Sequence, residues 1–307
     1  MSVRSTRNKK NLFGNLYKCI LLDDEANGVD ISSDQHLLAV VCGRGCYIYE
    51  LATSTLLMKM NLKHVVPHKC NILMCRFAPN NTHLITIGED MQIVTWNLTG
   101  KRPKVHKRMK GHQDLIFDAS FIHNALVTCS ADGKVFTWDW MNGKQLKANC
   151  REASCIRGLA VYNPPAPLQA RIISACADGS ISFFDSPSLD TTWTKIGGIP
   201  PDQKWAASGR FGASHAGWID PQLNHTGPLF QCRLSSNGRF LATAGEDSTV
   251  KLWSVLSLRN DAASSRSYNE HHRPDKASAL VAFHAAGRSH ITGLSLALYT
   301  RRIAQSI

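Results

Sequence analysis

Six times along the chain an apolar residue is followed, three positions on, by a small or apolar one and, two further on, by another apolar one. The copies are Ala26–Ile31, Ile72–Phe77, Ile116–Phe121, Ile156–Val161, Leu229–Leu234 and Ile291–Leu296. Spacing of this kind predicts short strands whose alternate side chains face a core. A second apolar run follows four of them and ends on a hydroxyl: Leu84–Thr86, Leu126–Thr128, Ile172–Ser174 and Leu241–Thr243. Four residues later comes Asp90, Asp132, Asp178 or Asp247, and six beyond that Trp96, Trp138, Phe184 or Trp253. Asp132-Gly133 and Asp178-Gly179 are hairpin chemistry, because glycine tolerates positive φ. The first unit keeps this register with Ala39, Gly43 and Tyr49. Four residues before the first apolar position stands a histidine in three units, His68, His112 and His225, whereas the fourth carries Glu152 and the first Leu22.

On Gly111-His112, Ser130-Ala131-Asp132-Gly133, Trp138-Asp139 and the tryptophans at 96 and 253, the sequence resembles the WD40-repeat β-propeller family. The resemblance runs from about Leu12 to the C-terminus and implies an all-β fold of four-stranded antiparallel blades around a central channel. It also implies that histidine, hydroxyl, acid and indole form a buried hydrogen-bonded chain inside a blade. Three sets are complete: His68, Thr86, Asp90, Trp96; His112, Thr128, Asp132, Trp138; and His225, Thr243, Asp247, Trp253. A hydroxyl, a histidine and an acid together also suggest a nucleophilic triad. An active site, however, is single, and this set is copied from unit to unit, which favours a structural role.

The first strands start at 26, 72, 116, 156, 229 and 291. The steps of 46, 44 and 40 suit one repeat each, and those of 73 and 62 call for insertions, at about 186–224 and 258–286. The sixth unit offers its first strand and then Arg301–Ile307, the start of a second. Leu16–Leu22 reads as the outer strand of a terminal blade. The expectation is five recognisable blades and the start of a sixth, within a propeller spanning 12–307 that is an incomplete seven-bladed ring truncated at the C-terminus. A degenerate, irregularly packed tail is the alternative. Residues 1–11, with Arg4, Arg7, Lys9 and Lys10, form a basic arm read as disordered.

Composition narrows the function. Of 307 residues, 43% are hydrophobic and 19% charged, an ordinary globular balance, and no apolar run is long enough for a membrane span. No apolar segment of secretory type follows the N-terminus, so the ten cysteines read as reduced core thiols in the cytoplasm or nucleus. Cys42 and Cys46, or Cys70 and Cys75, lack a second pair at metal-finger spacing. Gly43-Arg44-Gly45 lacks the third glycine and the helix of a dinucleotide loop, and the serine-hydrolase, zinc-protease and phosphate-loop signatures are missing. No catalytic residue, metal, cofactor or small-molecule substrate is expected.

Thirty-five Lys and Arg against 23 Asp and Glu give a net charge of +12. The densest basic run is Lys101, Arg102, Lys104, Lys107, Arg108 and Lys110, read as a lysine-protected outer strand, a nuclear-import signal, or a patch for RNA or an acidic partner. Trp193, Trp205, Phe211 and Trp218 in the first insertion either pin that loop or anchor a partner. The second insertion, with Ser264–Ser267 and His271–Pro274, reads as a solvated loop. The reading is a noncatalytic scaffold for protein or peptide partners, with a ribonucleoprotein component contacting RNA as the alternative. A ubiquitin-ligase substrate adaptor is disfavoured, because Trp138-Asp139-Trp140-Met141 lacks the arginine that such adaptors carry two residues after the Trp-Asp pair.

Overall fold

The computed structural model describes residues 19–22, 24–60, 68–100, 102–146, 150–163, 170–185, 194–199, 225–235, 238, 240–254 and 281–284. They form five antiparallel sheets, each following the chain from its first strand to its last. Blade one is β1 (Ala26–Ile31), β2 (Leu37–Cys42), β3 (Gly45–Glu50) and β4 (Leu56–Lys59). Blade two is β5 (Ile72–Phe77), β6 (His83–Gly88), β7 (Ile93–Asn97) and β8 (Lys104–Met109). Blade three is β9 (Ile116–Ile122), β10 (Ala125–Ser130), β11 (Lys134–Asp139) and the short β12 (Lys144–Gln145), with β13 (Cys150–Arg151) pairing the other end of β11. Blade four is β14 (Ile156–Tyr162), β15 (Arg171–Cys176), β16 (Ile181–Asp185) and β17 (Thr194–Ile199). Blade five is β18 (Leu229–Leu234), β19 (Phe240–Gly245), β20 (Thr249–Ser254) and β21 (Val281–His284).

The second strands are buried along almost their whole length because both faces of a blade are covered. Leu84 packs toward blade one and its neighbour Ile85 toward blade three, and Leu126 and Val127 divide likewise between blades two and four. Each aromatic at the tetrad position faces the preceding blade: Trp96 joins Ile48 and Met60, Trp138 joins Ile85 and Ile93, and Phe184 joins Val127 and Val135. The first strands β1, β5, β9, β14 and β18 stand side by side in that order and make a continuous inner wall.

At the turn after the tetrad aspartate the backbone takes a left-handed residue, Gly133 at φ 73° and Gly179 at φ 80°. Blades two and five place Met91 (φ 59°) and Ser248 (φ 58°) there, so the same turn forms at a local cost in strain.

Three sequence expectations are revised. β17 and β21 lie inside the stretches read as insertions, so those narrow to 200–224 and 255–280. Both strands are outer ones without the apolar alternation of inner strands, which is why the pattern passed over them. Cys19–Leu22, the described part of the expected strand Leu16–Leu22, is irregular; Ile20 and Leu22 pack on Val40, Cys42, Tyr47 and Tyr49 of blade one. The sixth unit, the arm 1–11 and Trp193, Trp205, Phe211 and Trp218 lie outside the described residues.

Candidate functional site

The three tetrads share one geometry. In blade three Trp138 Nε1 donates to Thr128 Oγ1 at 2.8 Å, Thr128 Oγ1 lies 2.8 Å from His112 Nε2, and His112 Nδ1 lies 3.0 Å from Asp132 Oδ2. Blade two repeats it: Trp96 to Thr86 at 3.0 Å, Thr86 to His68 at 3.0 Å, His68 to Asp90 at 2.8 Å. Blade five does so with Trp253 to Thr243 at 2.9 Å, Thr243 to His225 at 2.8 Å and His225 to Asp247 at 2.9 Å. An indole N–H only donates, so the threonine oxygen accepts from it and gives its own proton to His Nε2; the neutral ring then donates Nδ1–H to the carboxylate. The aspartate also accepts two backbone amides, one after the histidine and one after the turn; for Asp132 these are Gln113 N at 2.9 Å and Lys134 N at 2.9 Å. It therefore ties the loop entering the blade to the β10–β11 hairpin.

Electrostatics follow from that arrangement. Burial lowers His68 and His112 below the ordinary histidine value and outweighs the pull of Asp90 and Asp132 toward the charged form. Burial pushes those carboxyls up, but the bonds from histidine and backbone amides prevail and hold both below the usual carboxylate range. Every threonine, and every histidine ring nitrogen, of the three sets has a partner inside its blade. A nucleophile needs a free lone pair at an accessible surface, and Thr86, Thr128 and Thr243 are fully buried. Burial likewise raises the thiols of Cys129, Cys176 and Cys232, the last to about 12, so they stay protonated near neutrality.

The chain was compared with known proteins. A family model described as "WD domain, G-beta repeat" matches residues 103–139 and 222–254, which carry the second and third of these tetrad tryptophans. Over these two segments the chain is similar to the WD40-repeat family. It is 24% identical over 201 residues to the "Telomerase protein component 1" of Mus musculus, covering 62% of this chain and 6% of that protein. It is 23% identical over 234 residues to the "COMPASS component SWD3" of Saccharomyces cerevisiae, covering 76% of this chain and 65% of that one. To the "Target of rapamycin complex subunit wat1" of Schizosaccharomyces pombe it is 24% identical over 235 residues, again 76% of this chain and 65% of the relative. The chain thus spans a small part of the telomerase component and just under two thirds of the other two.

The basic run falls mostly on one outer strand. Among the described residues β8 pairs only β7, and Lys104, Lys107 and Arg108 are exposed on it, with Arg102 and Lys110 exposed at its ends. Lys101 lies outside the described residues. A bulge between Thr95 and Trp96 leaves His106 unpaired in the ladder, and its Nε2 donates instead to Met141 O of blade three at 3.0 Å. The patch is therefore mounted on a strand locked to the next blade.

The inner wall holds a charged network that the sequence reading missed. Asp118 on β9, with 4% of its side chain exposed, receives Arg76 Nη2 of blade two at 3.0 Å and Arg233 Nη1 of blade five at 2.6 Å. Leu159 N of blade four adds a bond at 3.2 Å. Arg76 Nε also donates to Ala119 O at 3.0 Å, and Asp30 of blade one accepts Phe77 N at 2.7 Å. One carboxylate thus gathers three other blades. The available signal was the fifth position of the first-strand pattern, where Asp30, Arg76 and Arg233 share a register and hence a face.

Proposed function

We propose that this chain is a noncatalytic propeller scaffold that holds protein or peptide partners within a multiprotein complex, in the cytoplasm or nucleus. The observation that carries the reading is the threefold repetition of a fully bonded tetrad: its reactive groups are spent on joining strands, which leaves loops, rim and outer strands as the surfaces for function. The printed names of the yeast relatives, a COMPASS component and a target-of-rapamycin complex subunit, agree with a role as one subunit among several. Affinity purification of the tagged chain tests this. Stoichiometric partners in the recovered material support it; a chain recovered alone from every extract, or turnover that survives Thr128→Ala, contradicts it.

A second reading, RNA contact through β8, is favoured by the clustered exposure of Lys104, Lys107 and Arg108 on one edge. Cations aligned on a strand neutralise successive phosphates and release counterions, so binding would fall steeply with salt. Binding of a single-stranded RNA that is unchanged when Lys104, Lys107, Arg108 and Lys110 are all replaced by glutamine would remove this reading.

A further inference from the structure

Each first strand is irregular at the same place. The ladder slips between Ala26 and Gly28, Ile72 and Met74, Ile156 and Gly158, and Leu229 and Gln231, and in blade three between Ile116 and Asp118. One residue per blade is thereby pushed out of the ladder: Asn27, Leu73, Phe117, Arg157 and Phe230. A bulge re-aims its side chain, and none of these five is buried, although Ile72, Ile116, Ile156 and Leu229 just before four of them are. They form a rim at one end of the inner wall.

Arg157 is the one cation on that rim, and it is clamped. Its guanidinium carbon lies 5.7 Å from the ring centre of Phe117, in the blade before, and 5.2 Å from that of Phe230, in the blade after. Aromatic rings on both sides hold the guanidinium by cation–π attraction and leave its in-plane N–H edge as the route of approach. That edge reaches the Cys155 side chain but no carboxylate among the described residues. Arg76, Arg171 and Arg233 each hold an aspartate, whereas Arg157 makes no ion pair among the described residues, and its Nε is buried without a hydrogen-bond partner. Asp114, at the foot of the neighbouring β9, bonds instead to the amide of Leu115 at 2.7 Å. A positioned cation whose planar donor edge holds no carboxylate among the described residues is complementary to a two-oxygen acceptor.

We propose that Arg157, held between Phe117 and Phe230, is the recognition point for an aspartate or glutamate side chain of a partner peptide laid across the rim. The deduction rests on the scaffold reading and names the chemistry of one of its partner sites. Leu73, Phe117 and Phe230 suit apolar residues beside the acid. A nucleic-acid strand fits less well, because a polyanion needs a row of cations and the other four rim positions are uncharged.

The probe is a random dodecapeptide phage library panned on the whole chain. The expected binders carry an acid next to an apolar residue, and Arg157→Gln weakens the best of them by roughly ten- to a hundred-fold. Arg157→Lys, which keeps the charge but loses the planar fork, recovers only part of the affinity. Changing the peptide acid to its amide costs as much as Arg157→Gln and adds little to it. An unchanged thermal midpoint for the variants shows that the loss is not one of folding. Binders without acids, or acidic binders indifferent to Arg157→Gln, overturn the proposal, as does an RNA whose binding depends on Arg157. Partners that co-purify equally with wild type and Arg157→Gln also overturn it while leaving the scaffold reading intact; a chain that captures no partner at all strikes the scaffold reading itself.

Discussion

Blades three and four stand side by side and share the same inner order of strands, yet only blade three carries the hydrogen-bonded chain. Where Trp138 sits in one, Phe184 sits in the other, 2% exposed. A phenyl ring has no N–H to satisfy. Among the described residues the Ser174 hydroxyl accordingly has only the Cys176 sulfur, at 3.9 Å, and Glu152, in the place of the histidine, reaches Lys195 at 3.0 Å. The interface needs a large aromatic volume; the polar chain is the consequence of filling that volume with an indole. A second difference lies on the inner wall, where Asp118 of blade three corresponds to Gly158 of blade four. A Cβ on Gly158 would lie 2.8 Å from the backbone of both Gln231 and Cys232. Blade five therefore packs close against β14, and this brings Arg233 within reach of Asp118, two blades away.

The largest test of this contrast is Asp118→Ala. It strands two partly buried arginines and should cost about 3–5 kcal/mol in urea denaturation, with most of that recovered when Arg76→Met and Arg233→Met are added. A loss under about 1 kcal/mol would mean that the network does not join the blades. Next comes Thr128→Val against Ser174→Ala. The first leaves Trp138 Nε1 and His112 Nε2 without partners and should cost about 2–3 kcal/mol; the second removes one weak contact and should cost less than about 1 kcal/mol. Equal losses would erase the distinction between the blades.

The smallest effect is that of pH, and its sign follows from the histidines. His68 and His112 are lowered in the fold from 6.5, so the unfolded chain takes up protons first. Their contribution is complete above about pH 6.5 and is lost as pH falls toward the folded values. Asp90 and Asp132, lowered from 3.8, add a second loss at more acid pH, and Asp30, raised by burial, partly opposes it. The thermal midpoint should therefore drop between about pH 7.5 and about pH 5, and less in a His112→Gln variant that has one such histidine fewer. A flat midpoint would contradict the buried neutral rings.

Much of the blade was legible in the chain because its chemistry is local. Histidine, hydroxyl, acid and indole lie within 28 residues of one another in each complete set, and a fixed spacing survives translation into strands. The outer strands were harder to read. Among the described residues β17 and β21 are each paired on one side and need little alternation, so nothing in Thr194–Ile199 or Val281–His284 stood out from loop. The charged wall was invisible for another reason: Asp118 and Arg233 lie 115 positions apart.

The order of residues alone determined the repeat, the aromatic that fills each blade interface and the reason why three histidines recur, because those depend on side chains held by one short run of strands. Only the assembled blades decided that Asp118 bonds to blades two, four and five, that His106 is tied to Met141, and that Phe117 and Phe230 close on Arg157. Such contacts depend on the angle and distance between sheets, which are set by the packing of whole faces and written in no single segment.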